Sequence, residues 1–204
     1  AIRKAVSQAL EAVGVESEGL RYSLRGTLAA CMNDTMSSQR ILVIDIGGCC
    51  TDMAILEDDA LVSTQTVPWG GMVLVEAIAK AQRLTMDQAL SASLQGWSSP
   101  TPAVQRLVEQ QLSVLNMPVQ TLLKDAPLPS VVMVTGRTAL MDGLVEWVER
   151  TTEIPAVLGR SSRAKHLGDL NRQLALTPAI GLLELAVKPS GPTQGMAGVS
   201  SGGE

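Results

Sequence analysis

Two carboxylates, Asp45 and Asp52, stand seven residues apart and enclose Gly47, Gly48, two cysteines and Thr51. These residue types suit the holding of a phosphate together with its counter-ion. Glycine backbone adopts positive φ and lets N–H groups approach an anion closely, so Gly47 and Gly48 are candidates to cradle phosphate oxygens. Thr51 adds a hydroxyl. Mg²⁺ keeps several waters and takes only one or two direct carboxylate ligands, which suits Asp45 as a holder of Mg²⁺ through water. The plainer alternative is a β-hairpin with a Gly-Gly turn and two solvated acids. The D-x-G-x-x-x-T-D spacing between two apolar runs favours the phosphate reading.

The elements that must position these groups follow from the flanking pattern. Ile41, Leu42, Val43 and Ile44 form the continuous β-favouring run of a strand buried on both faces, and Met53 to Leu56 resume a strand after the turn. Upstream, apolar residues at 2, 5, 6, 9, 10 and 13 have a helical period that stops at Gly14. A short strand over 20–24 and a helix over 27–32 then lead to the polar connector NDTMSSQR. Strands are expected over 40–46, 52–57 and 60–67, and a helix over 72–82 after the turn VPWGG. Thr85-x-x-Gln88 reads as a capping box that opens a further helix. Positions 102–116 read as one helix, which Pro118 should kink or end. A strand over 131–135, a helix over 142–151, a strand over 155–158 and a helix over 177–187 complete the alternation. The tail KPSGPTQGMAGVSSGGE is expected to be disordered.

At Asp45, Gly47, Gly48, Thr51 and Asp52 the chain resembles the second phosphate motif of the actin-like ATPase superfamily. That group includes actin, sugar kinases, the heat-shock chaperone ATPase domain and bacterial cytoskeletal proteins. Cys49 and Cys50 depart from its usual Gly, Ser or Thr. The stretch VVMVTGRTALMDGLVEWVERTTEIPAVLG, residues 131–159, is similar to the adenosine-binding motif. Gly136 matches there, and Arg137 stands where a second glycine is usual. PAIGLLEL, residues 178–185, is similar to the closing helix. Within the superfamily the segment 57–90, with its V-P-x-G-G turn, resembles the pilus-assembly PilM family and, a little less, the cell-division FtsA family. The tail lacks the amphipathic membrane helix of the cell-division relatives, which favours the pilus family.

The resemblance implies an α/β fold, an actin-like (ribonuclease H-like) lobe with a mixed sheet flanked by helices. It divides the chain into 1–39, the end of a first lobe with the inter-lobe helix; 40–187, the second lobe; and 188–204, the tail. It implies ATP or ADP with Mg²⁺ as cofactors. Asp45 would orient Mg²⁺ or its waters, Gly47, Gly48 and Thr51 would contact phosphates, and Asp52 would brace the turn. Thr135, Gly136 and Arg137 would flank the nucleoside. The implied role is a cytoplasmic assembly scaffold at the inner face of the membrane, at most a weak ATPase. Its implied partners are inner-membrane assembly proteins, through the cytoplasmic peptide of a pilus platform protein, and further copies of itself in an oligomer or filament. The alternatives are a cell-division protein, a sugar or acid kinase of the same superfamily, and a degenerate module that binds no nucleotide. The family's first phosphate motif has no counterpart here, so the expectation is a fragment of a protein about 150 residues longer. A reduced homologue is the other possibility.

Composition limits the other classes. With 46% apolar residues and no apolar run near the ~20 needed to span a bilayer, no direct membrane span is expected. A net charge of −4, scattered basic residues and few aromatics argue against nucleic acid as a partner. Three cysteines make no disulfide framework, and one His without Cys-x-x-Cys leaves no zinc site. His166 reads as a surface residue, and Trp69 as a core or lobe-interface anchor in preference to a ligand stack. Cys49-Cys50 reads as a pair of small residues in preference to a redox pair. Arg137 could reach a phosphate, stack on a base, or plug the pocket.

Overall fold

A computed structural model describes residues 2–16, 21–32, 39–124 and 127–187. The sheet grows from the hairpin. β1 (Ile41–Ile46) pairs antiparallel with β2 (Thr51–Glu57), and β2 with β3 (Ala60–Val67). The β2–β3 connection turns through Asp58 and Asp59, both at positive φ, the left-handed pair that a tight hairpin turn requires. On its other side β1 pairs parallel with β4 (Val131–Thr135), which pairs parallel with β5 (Ala156–Leu158). The order β3-β2-β1-β4-β5 is a mixed sheet, as expected from the sequence.

Strand alternation sends the side chains to two cores. Leu42, Ile44, Ile46, Met53 and Ile55 pack with Leu74 and Ile78 of α3 (Gly71–Gln82), with Val104 and Val108 of α5 (Pro102–Leu112), and with Leu144 and Val148 of α7 (Leu144–Thr152). Between these helices lie α4 (Met86–Gln95) and α6 (Asn116–Leu123). Ile41, Val43, Ala54, Leu56 and Met133 face the other way and pack on Leu24, Leu28 and Cys31 of α2 (Ser23–Cys31). Behind α2 lies α8 (Leu170–Val187), and α1 (Ile2–Ala12) opens the chain. Trp69 is 4% exposed and belongs to the first core, in accord with its reading as an anchor.

The Thr85 capping box forms as read. The Thr85 hydroxyl oxygen accepts from the Gln88 amide, and the Gln88 side chain accepts from the Thr85 amide. Thr85→Ala is expected to cost about 1 kcal/mol, seen as a small fall in the denaturant midpoint with unchanged slope.

Four expectations are corrected. Residues 23–24 are helical, not strand: Leu24, Thr27, Leu28 and Cys31 form a buried helical stripe. Leu20 lies outside the described residues. The helix expected over 102–116 breaks before Pro118, in a 3-10 turn at Ser113–Leu115, and Pro118 sits in the first turn of α6, where its missing N–H costs nothing. The helix expected from 142 begins at Leu144, after a 3-10 turn (Arg137–Leu140) and Gly143 at φ +80. The last helix begins at Leu170 and runs through Pro178, seven residues earlier than read. The connector 33–38 and the tail 188–204 lie outside the described residues.

Candidate functional site

The register of the strands places four polar residues in one row. Thr66 pairs with Asp52, Asp52 with Asp45, and Asp45 with Thr135, across β3, β2, β1 and β4 on the face that α2 covers. Each acid is held. Asp45 accepts from the Thr27 hydroxyl of α2 at 2.8 Å. Asp52 accepts from the Thr66 hydroxyl at 2.6 Å and from the Tyr22 hydroxyl, which reaches over from the approach to α2. The Thr135 hydroxyl is buried beside the Cys31 thiol, with no other hydrogen-bond partner among the described residues.

This row is a poor place for charge. Burial raises the pKa of Asp45 above the ordinary carboxylate value, the Thr27 hydrogen bond offsets part of the rise, and the neighbouring charge of Asp52 adds to it. Tyr22 is pushed up to about 12, by burial first and then by its hydrogen bond to Asp52. Cys31, beneath the row, is also pushed up to about 12, by burial and then by Asp45. Cys50 shifts the same way, which works against a reactive thiolate at the turn. Cys49 and Cys50 are exposed and unbridged.

The hairpin turn is set by its carbonyls. The Gly47 amide donates to the Cys50 carbonyl at 3.0 Å and closes the loop. The Gly47 carbonyl accepts from the Gly71 amide at 3.0 Å and from the Thr138 hydroxyl at 3.1 Å, and the Gly48 carbonyl accepts from the Met72 amide at 2.9 Å. Two orphan N–H groups of the α3 N-terminus are thereby satisfied. In a trans peptide the C=O and the following N–H point in opposite directions. With both carbonyls drawn toward α3, the amides of Gly48 and Cys49 point away from it. Neither has a partner among the described residues, and both residues are exposed. The positive end of the α3 dipole lies behind them.

Glycine is required where the three segments converge. A Cβ at Gly70 would lie 2.6 Å from the Gly48 carbonyl, and one at Gly136, which has φ +86, would lie 2.4 Å from the Ile46 carbonyl oxygen and 2.6 Å from Asp45 Oδ1. Beside the turn is a cavity of about 210 Å³, lined by Gly48, Met72, Leu94, Arg137, Thr138 and Met141 among others. It is mostly apolar, and it opens next to the free amides.

The structure thus brings Asp45, Asp52 and Thr135 into one row, Gly47 and Gly48 into the turn, and Gly136 against both. Arg137 lies exposed at the cavity wall. Thr51 stands apart: it has no accessible surface, and its hydroxyl donates to the Trp69 carbonyl at 2.8 Å, on the opposite face of the sheet from Asp52. Sequence reading missed Thr27, Tyr22 and Thr138. The signal for Thr138 lay within the recognised 131–159 stretch, but nothing in local spacing marks Thr27 or Tyr22.

Among the described residues no three His, Cys, Asp or Glu side chains gather into a metal cage. One or two carboxylates beside free backbone amides is a donor set that suits Mg²⁺ when it keeps its waters, so the residues fit a hydrated ion. The outward amides are donors of the kind an anion takes, and the cavity beside them is mostly apolar. Among the described residues no helix is long and apolar enough to cross a membrane.

A mixed five-stranded sheet flanked by helices, with a glycine hairpin and a second glycine turn meeting at one helix N-terminus, defines a lobe of the actin-like ATPase fold. Solved structures agree. The chain superposes on a protein of the PilM-PilN type IV pilus biogenesis complex with a TM-score of 0.74 at 18% identity, covering 91% of this chain and 58% of that one. It superposes on MreB5 of Spiroplasma citri bound to ADP with a TM-score of 0.72 at 14% identity, covering 90% and 64%. The family is more specific. The sequence model described as Cell division protein FtsA matches residues 42–181, and the chain belongs to that family. It is 25% identical to Cell division protein FtsA of Neisseria meningitidis serogroup B, over 91% of this chain and 52% of that protein. The chain spans about half the length of the curated relatives it matches.

Proposed function

We propose that this chain is the nucleotide-holding part of an actin-like assembly protein, with ATP or ADP and Mg²⁺ as its ligands. The observation that carries this reading is the pair of outward amides at Gly48 and Cys49 beside the 210 Å³ apolar cavity. The Gly48 and Cys49 amides cradle phosphates, Gly47 closes the turn through its bond to the Cys50 carbonyl, and Asp45 holds Mg²⁺ through water. Asp52 braces the turn through Tyr22 and Thr66, and Thr51 braces it through the Trp69 carbonyl. Thr135 and Gly136 flank the nucleoside, and Arg137 stands at the wall of the cavity beside the turn. Mg²⁺, when bound, would offset phosphate charge; the chain's own groups position the anion and exclude water from one side.

The nucleotide serves as a conformational ligand more than as a substrate for turnover, and any hydrolysis is slow. Among the described residues both acids accept from hydroxyl donors, which gives them bracing roles in this reading. The division of the chain into an inter-lobe segment up to residue 39 and a nucleotide lobe over 40–187 belongs to the same proposal.

Family membership supports a scaffold role in cell division, acting in oligomers at the inner face of the membrane through protein partners. The likeness to the PilM-PilN complex supports a second reading, pilus assembly through the peptide of a membrane partner. The test is calorimetric titration of ATP and ADP, with Mg²⁺ and with EDTA, into this chain and into a form extended at its N-terminus. Millimolar binding by the chain, tightened by extension, is expected. Absence of binding by both forms would leave the degenerate interaction module as the better reading.

A further inference from the structure

Among the described residues that line the cavity, Arg137 is the only cationic one. Among the described residues its guanidinium has no hydrogen bond and no ion pair. The nearby acids are engaged elsewhere, Asp45 with Thr27 and Asp52 with Tyr22 and Thr66. The backbone around Arg137 is pinned on both sides. Gly136 packs against the Ile46 carbonyl and Asp45, the Ala139 amide donates to the Gly136 carbonyl at 3.0 Å, and the Thr138 hydroxyl donates to the Gly47 carbonyl. A free guanidinium therefore stands on a pinned backbone at the wall of the cavity that Gly48, with its outward amide, also lines.

A plug would place this charge inside an apolar cavity without an acceptor, a costly burial. Arg137 is instead exposed. We propose that Arg137 supplies a cationic contact to the phosphate end of the ligand, so that the site retains measurable affinity for a nucleoside diphosphate even when Mg²⁺ is absent. The planar fork of arginine can grip two phosphate oxygens at once, as a lysine ammonium cannot. This inference rests on the nucleotide reading above and goes further, since it assigns the charge partner to a side chain.

The experiment titrates ADP and adenosine, both in EDTA, into the chain and its Arg137→Ala, Arg137→Lys and Arg137→Gly variants, following the Gly48 and Cys49 amide resonances. Arg137→Ala is expected to weaken ADP by about 10- to 30-fold and to leave adenosine within about twofold. Arg137→Lys should recover only part of the loss. Equal weakening of ADP and adenosine would mean that Arg137 stacks on the base, and tighter binding by the Ala or Gly variant would mean that it plugs the pocket; either result overturns the proposal. Unchanged ADP affinity in the variants would overturn the role of Arg137 alone. Failure of the unmodified chain to bind either ligand, with or without Mg²⁺, would remove the nucleotide reading itself.

Discussion

Gly181→Ala is expected to lower the unfolding free energy by about 3 kcal/mol. At the usual 2–4 °C per kcal/mol for domains of this size, the thermal midpoint should fall by roughly 6–12 °C. A Cβ at Gly181 would lie 1.8 Å from the Gly26 carbonyl oxygen and 2.9 Å from the Ala30 amide nitrogen. Reciprocally, a Cβ at Gly26 would lie 2.1 Å from the Pro178 carbonyl oxygen. Both obstacles are backbone, so no rotamer change relieves them and α2 must move away from α8. The effect reaches the site because α2 carries Thr27, the donor to Asp45, along with Leu24, Leu28 and Cys31 of the second core. Nucleotide affinity should therefore fall with stability. Gly48→Ala is the control: its Cβ would meet only the flexible Met72 side chain, at 3.6 Å, and the melt should hardly change. An unaltered melt for Gly181→Ala would mean that the helix crossing is slack.

That crossing also explains what the sequence concealed. Pro178 fits the first turn of a helix, so local reading starts α8 there; the chain instead continues the helix from Leu170 because Gly181 and the Pro178 carbonyl seat against Gly26, 155 residues away in sequence for the glycine pair. The hairpin, by contrast, was legible because its determinants are local: four apolar residues, an acid, two glycines and a second apolar run. The capping box at Thr85 was legible for the same reason. Of the site, Asp45, Gly47, Gly48 and Asp52 lie within one hairpin, whereas Thr27 and Tyr22 come from another element with no spacing signature. The orientation of Thr51 was open to inference. Neighbouring residues of a strand face opposite sides, so once Asp52 lies in the polar row Thr51 must point into the other core.

Asp45→Asn should separate stability from binding. Because burial holds the Asp45 pKa in the folded chain above its unfolded value, the folded state binds the proton more tightly. The stability this confers is fully present below the ordinary carboxylate pKa of about 3.9 and is lost as pH rises through the raised folded value. At neutral pH the ionised carboxylate thus costs stability, with Asp52 opposite it in the register. Asparagine keeps an oxygen for the Thr27 hydroxyl and removes the charge, so Asp45→Asn is expected to raise the denaturant midpoint at pH 7, with the gain shrinking toward zero near pH 4. In the same variant, Mg²⁺-dependent nucleotide affinity should fall by roughly 10- to 100-fold, since an amide holds metal-bound waters far less well than a carboxylate. A lower midpoint at pH 7 would show that the folded chain favours the charged form, contrary to its burial. Unchanged affinity would remove Asp45 from the metal site. Gain in one quantity with loss in the other is the result that a purely structural acid cannot produce, because such a residue has no ligand whose binding its charge would serve.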